Sequence, residues 1–105
     1  MTCPAFAALV LYWATEFAVP PQVVHAQLVA ESTCRPQVVN KVTGAAGLGQ
    51  ILPGTRAALG YPRARLFDPG LNVALTVAHL RRCFDLCGTW RGARRVYGGR
   101  AWCSR

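Results

Sequence analysis

The stretch Glu31-Ser32-Thr33-Cys34-Arg35-Pro36, followed by Gly44-Ala45-Ala46-Gly47-Leu48-Gly49-Gln50-Ile51-Leu52-Pro53-Gly54-Thr55, decides how the rest of the chain is read. It sets one carboxylate at the end of an apolar helix, with a glycine-rich segment close behind. Four acidic residues occur in all 105 positions: Glu16, Glu31, Asp68 and Asp85. A chain so poor in acids that keeps one beside an apolar face points to its use as an acid.

The segment before Glu31 sets its chemistry. Pro20 and Pro21 fix a helix start, because proline suits the first turn. Val24, Leu28 and Glu31 then fall about one turn apart, with Gln27 beside them. Glu31 therefore shares a face with two core-forming residues. Pro36 is expected to stop the helix, which leaves Glu31 in or near its last turn. Apolar surroundings and the negative end of the helix dipole both disfavour an ionised carboxyl. Such a glutamic acid stays protonated toward neutral pH, as a general acid must. Composition alone favours the plainer alternative, a solvated glutamate at a helix end.

The glycines after Glu31 shift that balance. Gly44, Gly47 and Gly49 permit close backbone approach or conformations closed to other residues. Gln50 adds an amide able to hold a ligand hydroxyl or the acid itself. The loop is not a phosphate cradle, since no Gly-Lys-Ser/Thr follows it and no strand precedes it.

Taken together, Glu-Ser-x-x-x-Pro and Gly-Ala-x-Gly-Leu-x-Gln-Ile-x-Pro-x-Thr resemble the catalytic stretch of the soluble lytic transglycosylase (SLT) domain, a lysozyme-like fold. The likeness extends over roughly residues 10 to 100. Phe17 to Ala30 reads like the family's lead-in, and Leu66-Phe67-Asp68-Pro69 with Asn72 and Leu80 is similar to a second family stretch. Val96-Tyr97-Gly98-Gly99 falls where the family commonly has Ala-Tyr-Asn-Ala-Gly. The resemblance implies Glu31 as catalytic acid/base. It implies a cleft lined by Gln50 and Tyr97, walled by Ser32 and Gly44 to Gly47, with Leu52 packing under the sugar. Three departures stand out. Gly49 replaces a usual Met and so removes a hydrophobic contact, Gly98 replaces an Asn, and one extra residue separates Glu31 from Gly44.

The resemblance also implies the substrate, the glycan strand of peptidoglycan cut at the MurNAc–GlcNAc β-1,4 bond. Glycosidases ordinarily use two carboxylates. Here Asp68 before Pro69 reads as a helix N-cap, Asp85 as an ion-pair partner among Arg81 and Arg82, and Glu16 as exposed. A lone acid suffices where the muramic 6-hydroxyl is the nucleophile and the product is a 1,6-anhydro sugar. A hydrolysing lysozyme on the same fold, and an inactive wall-binding or virion structural protein, are the alternatives.

Length and a 52% hydrophobic content fit one mainly α domain over residues 1–105, with a single core. Helices are expected at residues 4 to 17, 21 to 33, 53 to 59, 69 to 87 and 90 to 97. Val73, Val77, Leu80 and Phe84 form a core stripe. The apolar run from Ala5 to Val19 has no basic n-region and contains Glu16. It reads as the first helix, neither a signal peptide nor a membrane span. The expected setting is therefore a phage virion, or the host cytoplasm or periplasm at lysis, with virion or secretion-apparatus proteins as further partners.

The net charge of +8 rests on eleven Arg and Lys41. It is read as a solvated basic surface or as attraction to anionic envelope polymers, not as nucleic-acid binding, for which no motif exists. No cofactor or metal is implied, because His25, His79 and the cysteines lack ligand spacing; both histidines read as ordinary helical residues. Five cysteines, at 3, 34, 83, 87 and 103, leave at least one unpaired. Reduced thiols are expected, with a Cys3–Cys103 link conceivable.

Overall fold

In the computed structural model, which describes residues 1–104, the expected helices form within a residue or two of their sequence limits. A 3₁₀ turn at Pro4–Phe6 leads into α1 (Ala7–Phe17). Next come α2 (Pro21–Ser32), the short α3 (Pro53–Ala58), α4 (Pro69–Cys87) and α5 (Trp90–Tyr97). Prolines open α2, α3 and α4, where a missing N–H leaves no helical bond unmade. Asp68 caps α4, its Oδ1 accepting from the Leu71 N–H at 3.1 Å. Thr89 caps α5 by accepting from the Gly92 N–H at 3.0 Å.

The end of α2 differs from the expectation. Ser32, not Thr33, is its last residue, and Pro36 is not what stops it. Thr33 (φ 54°) and Cys34 (φ 60°) both turn left-handed, a conformation uncommon outside glycine, and the Thr33 N–H closes on Val29 O at 3.0 Å.

α4 is the central element, packed against α1, α2 and α5. Val10 and Ala14 of α1, Val24 and Leu28 of α2, Leu48, and Val73, Val77 and Leu80 of α4 form the main core. Phe84, expected in that core, is half-buried and stacks on Trp90 at 4.0 Å. A second cluster under the glycine-rich loop joins Ala46, Ile51, Leu66 and Leu75. The loop is a series of turns with two isolated antiparallel bridges, Val39 to Ala46 and Ala46 to Ile51.

Asn72 fastens that loop to α4. It is fully buried and donates to Ala46 O at 3.0 Å and Leu66 O at 2.8 Å, while its Oδ1 accepts from the Gly49 N–H at 2.8 Å. The Gly49 N–H and Leu66 O depend on this one amide, and Ala46 O shares it with the Ile51 N–H at 3.1 Å.

The cysteines correct the sequence reading. Cys3 bonds to Cys34 and Cys87 to Cys103, leaving Cys83 buried and free. Cys3 and Cys103 are not joined. The odd count does leave one thiol, but the other four are oxidised. In the chain-entropy picture each link is worth about 3–4 kcal/mol for closures of 31 and 16 residues. No helix among the described residues is long and apolar enough to cross a membrane.

Two measurements check this architecture. Titration of the denatured, unreduced protein should find one thiol, and five after reduction; five without reductant would refute both bonds. Asn72→Asp keeps the size but loses both donated bonds, and should lower stability by about 3 kcal/mol or more. Thermal melting should show it as a fall in Tm of roughly 12 °C or more.

Candidate active site

Glu31 occupies the penultimate position of α2 and is half-buried. Its Oε2 accepts from Gln27 Nε2 at 2.8 Å, one turn earlier on the same helix. Gln27 is 3% exposed, and its Oε1 accepts in turn from Arg94 Nε of α5 at 2.9 Å. Arg94 also reaches Ala26 O at 3.5 Å, so the guanidinium sits against the α2 backbone. Burial pushes the Glu31 carboxyl above the usual carboxylate range, and the Gln27 hydrogen bond and the Arg94 charge pull it partly back. The net effect is a carboxyl that holds its proton more tightly than a solvated glutamate.

Tyr97 ends α5 within reach of that carboxyl's field. Burial raises its phenol above the ordinary tyrosine range; the Thr76 hydroxyl opposes this, and the charges of Glu31 and Cys83 add to it. Its O–H donates to Gly49 O at 2.6 Å. Tyr97 is thus neutral and held in place.

Tyr97, Gln50 and Leu52 converge with Ile51, Thr55 and His79 around a recess of about 40 Å³. Three of the positions drawn from the family likeness therefore meet in space. Gln50, at φ 51°, uses its Nε2 on the loop itself, donating to Val38 O at 3.0 Å and Gly47 O at 3.1 Å. Only its carbonyl oxygen is left for a ligand. Leu52 is 43% exposed at the rim.

Ser32 is not part of a cleft wall. It is 1% exposed and its hydroxyl donates to Leu28 O at 3.1 Å, back along the helix. Gly44 and Gly47 (φ 80° and 79°) hold backbone turns that other residues resist. At Gly47 a Cβ would also collide with Leu66 O and Asn72 Nδ2. Gly47 serves close packing of the loop onto α4, which is different from the ligand approach that the glycine pattern invites, while at Gly44 a Cβ would meet only Pro53 at ordinary contact distance.

Packing accounts for the glycine at position 49. A Cβ there would overlap Thr76 Oγ1 and stand 2.7 Å from the Tyr97 hydroxyl. Thr76 and Tyr97 fill the space a larger residue would take, so the missing hydrophobic contact is replaced by a buried polar one.

Sequence reasoning passed over His79 and Gln27. His79 packs on Tyr97 with ring centroids 4.9 Å apart, and its buried Nδ1 has no hydrogen-bond partner among the described residues. Burial and then the Arg82 charge push its pKa down to about 4, so it is neutral at working pH. A signal existed: Asn72, Thr76, His79 and Cys83 recur at helical spacing as a polar stripe opposite the glycine-rich loop. Arg94, read with the other arginines as surface charge, is half-buried against α2.

The remaining acids lie apart from this chemistry. Asp68 is a cap, Asp85 pairs with Arg81 at 3.0 Å on the surface, and Glu16 is exposed. A larger recess of about 840 Å³ between α1 and α4, lined by Leu9, Trp13, Phe17, Leu71 and Leu75 among others, contains no carboxylate. No cluster of three or more His, Cys, Asp or Glu exists among the described residues.

A family model described as the transglycosylase SLT domain matches residues 8–99. No curated protein matches the chain.

The Gly49 packing can be checked directly. Gly49→Ala should destabilise by about 1–3 kcal/mol through overpacking. Thr76→Ala added to it should recover part of that loss by removing the overlapping hydroxyl. If Gly49→Ala melts at the wild-type temperature, the close approach of Thr76 and Tyr97 is wrong.

Proposed function

The chain belongs to the transglycosylase SLT domain family, and on that premise we propose that it is a peptidoglycan lytic transglycosylase in which Glu31 is the sole acid/base. One observation supports the finer reading: of the four carboxylates, Glu31 alone is half-buried, its proton held more tightly by burial, and its charge is felt at Tyr97.

The chemistry follows from having one carboxyl. Protonated Glu31 gives its proton to the glycosidic oxygen between MurNAc and GlcNAc as the C1–O bond breaks. The GlcNAc side leaves as an alcohol, and positive charge develops at C1 of the muramic sugar. Glu31, now a carboxylate, accepts the proton of the 6-hydroxyl as that oxygen bonds to C1. The product is a 1,6-anhydromuramic end, and Glu31 is again protonated. No water is consumed, so no second carboxylate is required to activate one. Tyr97 and the free oxygen of Gln50 would position the sugar, with Leu52 beneath it.

Two disulfides support a working place outside a reducing cytoplasm, such as the periplasm or a virion surface. The net charge of +8 supports approach to anionic envelope polymers.

Glu31→Gln should abolish clearing of purified walls by at least about a hundredfold, the scale of one acid/base group. The neutral amide suits the half-buried position, so melting should show the fold intact. Mass analysis of wild-type digests should find anhydro ends, one water lighter than hydrolytic ones. Reducing ends would establish a hydrolysing lysozyme, and intact wall binding without fragments an inactive binding protein.

A further inference from the structure

Glu31 has two oxygens, and the structure treats them differently. Oε2 accepts from Gln27 Nε2 at 2.8 Å, whereas Oε1 has no side-chain donor among the described residues. The direction of the Gln27 amide is not free. Arginine has only donors, so the amide atom 2.9 Å from Arg94 Nε must be the oxygen. That leaves the amide N–H₂ facing Glu31, and a flip would set donor against donor on one side. Gln27 is 3% exposed in a helix face otherwise made of Val24 and Leu28. A buried amide there needs both partners, because each unmet polar atom carries a desolvation penalty.

We propose that Gln27, locked by Arg94, is the positioning residue that decides which oxygen of Glu31 carries the catalytic proton. Oε2 remains a hydrogen-bond acceptor throughout the cycle, and Oε1 is the oxygen that gives the proton to the leaving group and takes it back from the 6-hydroxyl. This deepens the proposed function and rests on Glu31 being its acid.

The same arrangement sets when the proton is held. An apolar residue at 27 would leave burial opposed by the Arg94 charge alone, and the carboxyl would be a weaker acid that releases its proton less readily. The ionisable groups that act on or feel Glu31 across the helix packing are Arg94 and Tyr97, both on α5. Tyr97 stays neutral over the working range, so Arg94 is the charge that counts. Arg94 is argued to act mainly by orienting the amide, beyond its direct attraction to the carboxylate.

The chain has two glutamates, Glu16 and Glu31, so side-chain carbon-13 labelling of Glu gives two titrating signals. Glu31→Gln assigns them by deleting one. In Gln27→Leu the Glu31 midpoint should rise by roughly one pH unit, the usual scale of a lost charge-assisted hydrogen bond. Active Glu31 is protonated, so activity falls as pH rises through its pKa. The alkaline limb of kcat/KM should therefore move up with the midpoint. At the wild-type optimum kcat should fall while KM changes little, since buried Gln27 does not touch sugar.

Arg94→Leu should shift the midpoint the same way, and should add less in the Gln27→Leu background than it does alone. An unmoved Glu31 midpoint in folded Gln27→Leu overturns the proposal. Strictly additive shifts overturn the relay through the amide. If Gln27→Leu does not fold, Arg94→Leu at its half-exposed site decides: an unmoved midpoint there overturns the proposal. A retained activity in Glu31→Gln would instead overturn the proposed function, while the titrations would still report on the hydrogen bond.

Discussion

Asn72 is the point on which the loop, and with it the site, depends. Its amide joins Ala46, Leu66 and Gly49, three backbone segments that come together above α4 and have little regular structure of their own. A loop this short of secondary structure can be buried only if its peptide groups find partners. The surrounding glycines follow from the same contact, since Gly47 must lie where any Cβ would meet Asn72 and Leu66 O. Thr76, one turn on, donates to Asn72 O at 2.8 Å and fills the space facing Gly49. Tyr97 closes the stack by donating to Gly49 O. The polar stripe of α4 thus fixes the loop from beneath, and Tyr97 joins it at Gly49.

The acid is held from the other side by a second set of constraints. Thr33 and Cys34 take left-handed backbone immediately after α2, at a cost of the order of 1 kcal/mol or more each. Cys34 is bonded to Cys3, which anchors that turn to the start of α1. The disulfide therefore acts where the chain leaves the acid, and the Cys87–Cys103 bond ties the last residues to the end of α4. A domain of this size has a small core, and covalent links supply stability that burial alone does not. Within that frame the Arg94–Gln27–Glu31 line crosses from α5 to α2 and couples helix packing to the state of the carboxyl.

Much of this was legible in the chain. The Pro20-Pro21 pair, the 3.6-residue repeat of Val73, Val77 and Leu80, and the cap at Asp68 are local signals, and each element they mark is present. The raised carboxyl at Glu31 followed from its neighbours on one helical face. Apart from the end of α2 and the place of Phe84, the misreadings were of partners. Pairing of Cys3 with Cys34, the inward turn of Ser32, and the commitment of the Gln50 amide to Val38 and Gly47 depend on which segments meet. Arg94 looked like one of eleven surface arginines because its partner lies 67 residues away.

The sequence by itself determined the helices, the isolation of Glu31 among so few acids, and the glycine-rich loop that follows it, because those depend on residue type and spacing along one helix or turn. Only the tertiary structure decided what surrounds the acid. Whether a buried amide donates to Glu31 or away from it, whether a glycine serves a ligand or its own core, and which sulfurs meet are all properties of atoms far apart in the chain. Hydrogen bonds and close contacts act over about 3 Å, and no local pattern specifies that proximity.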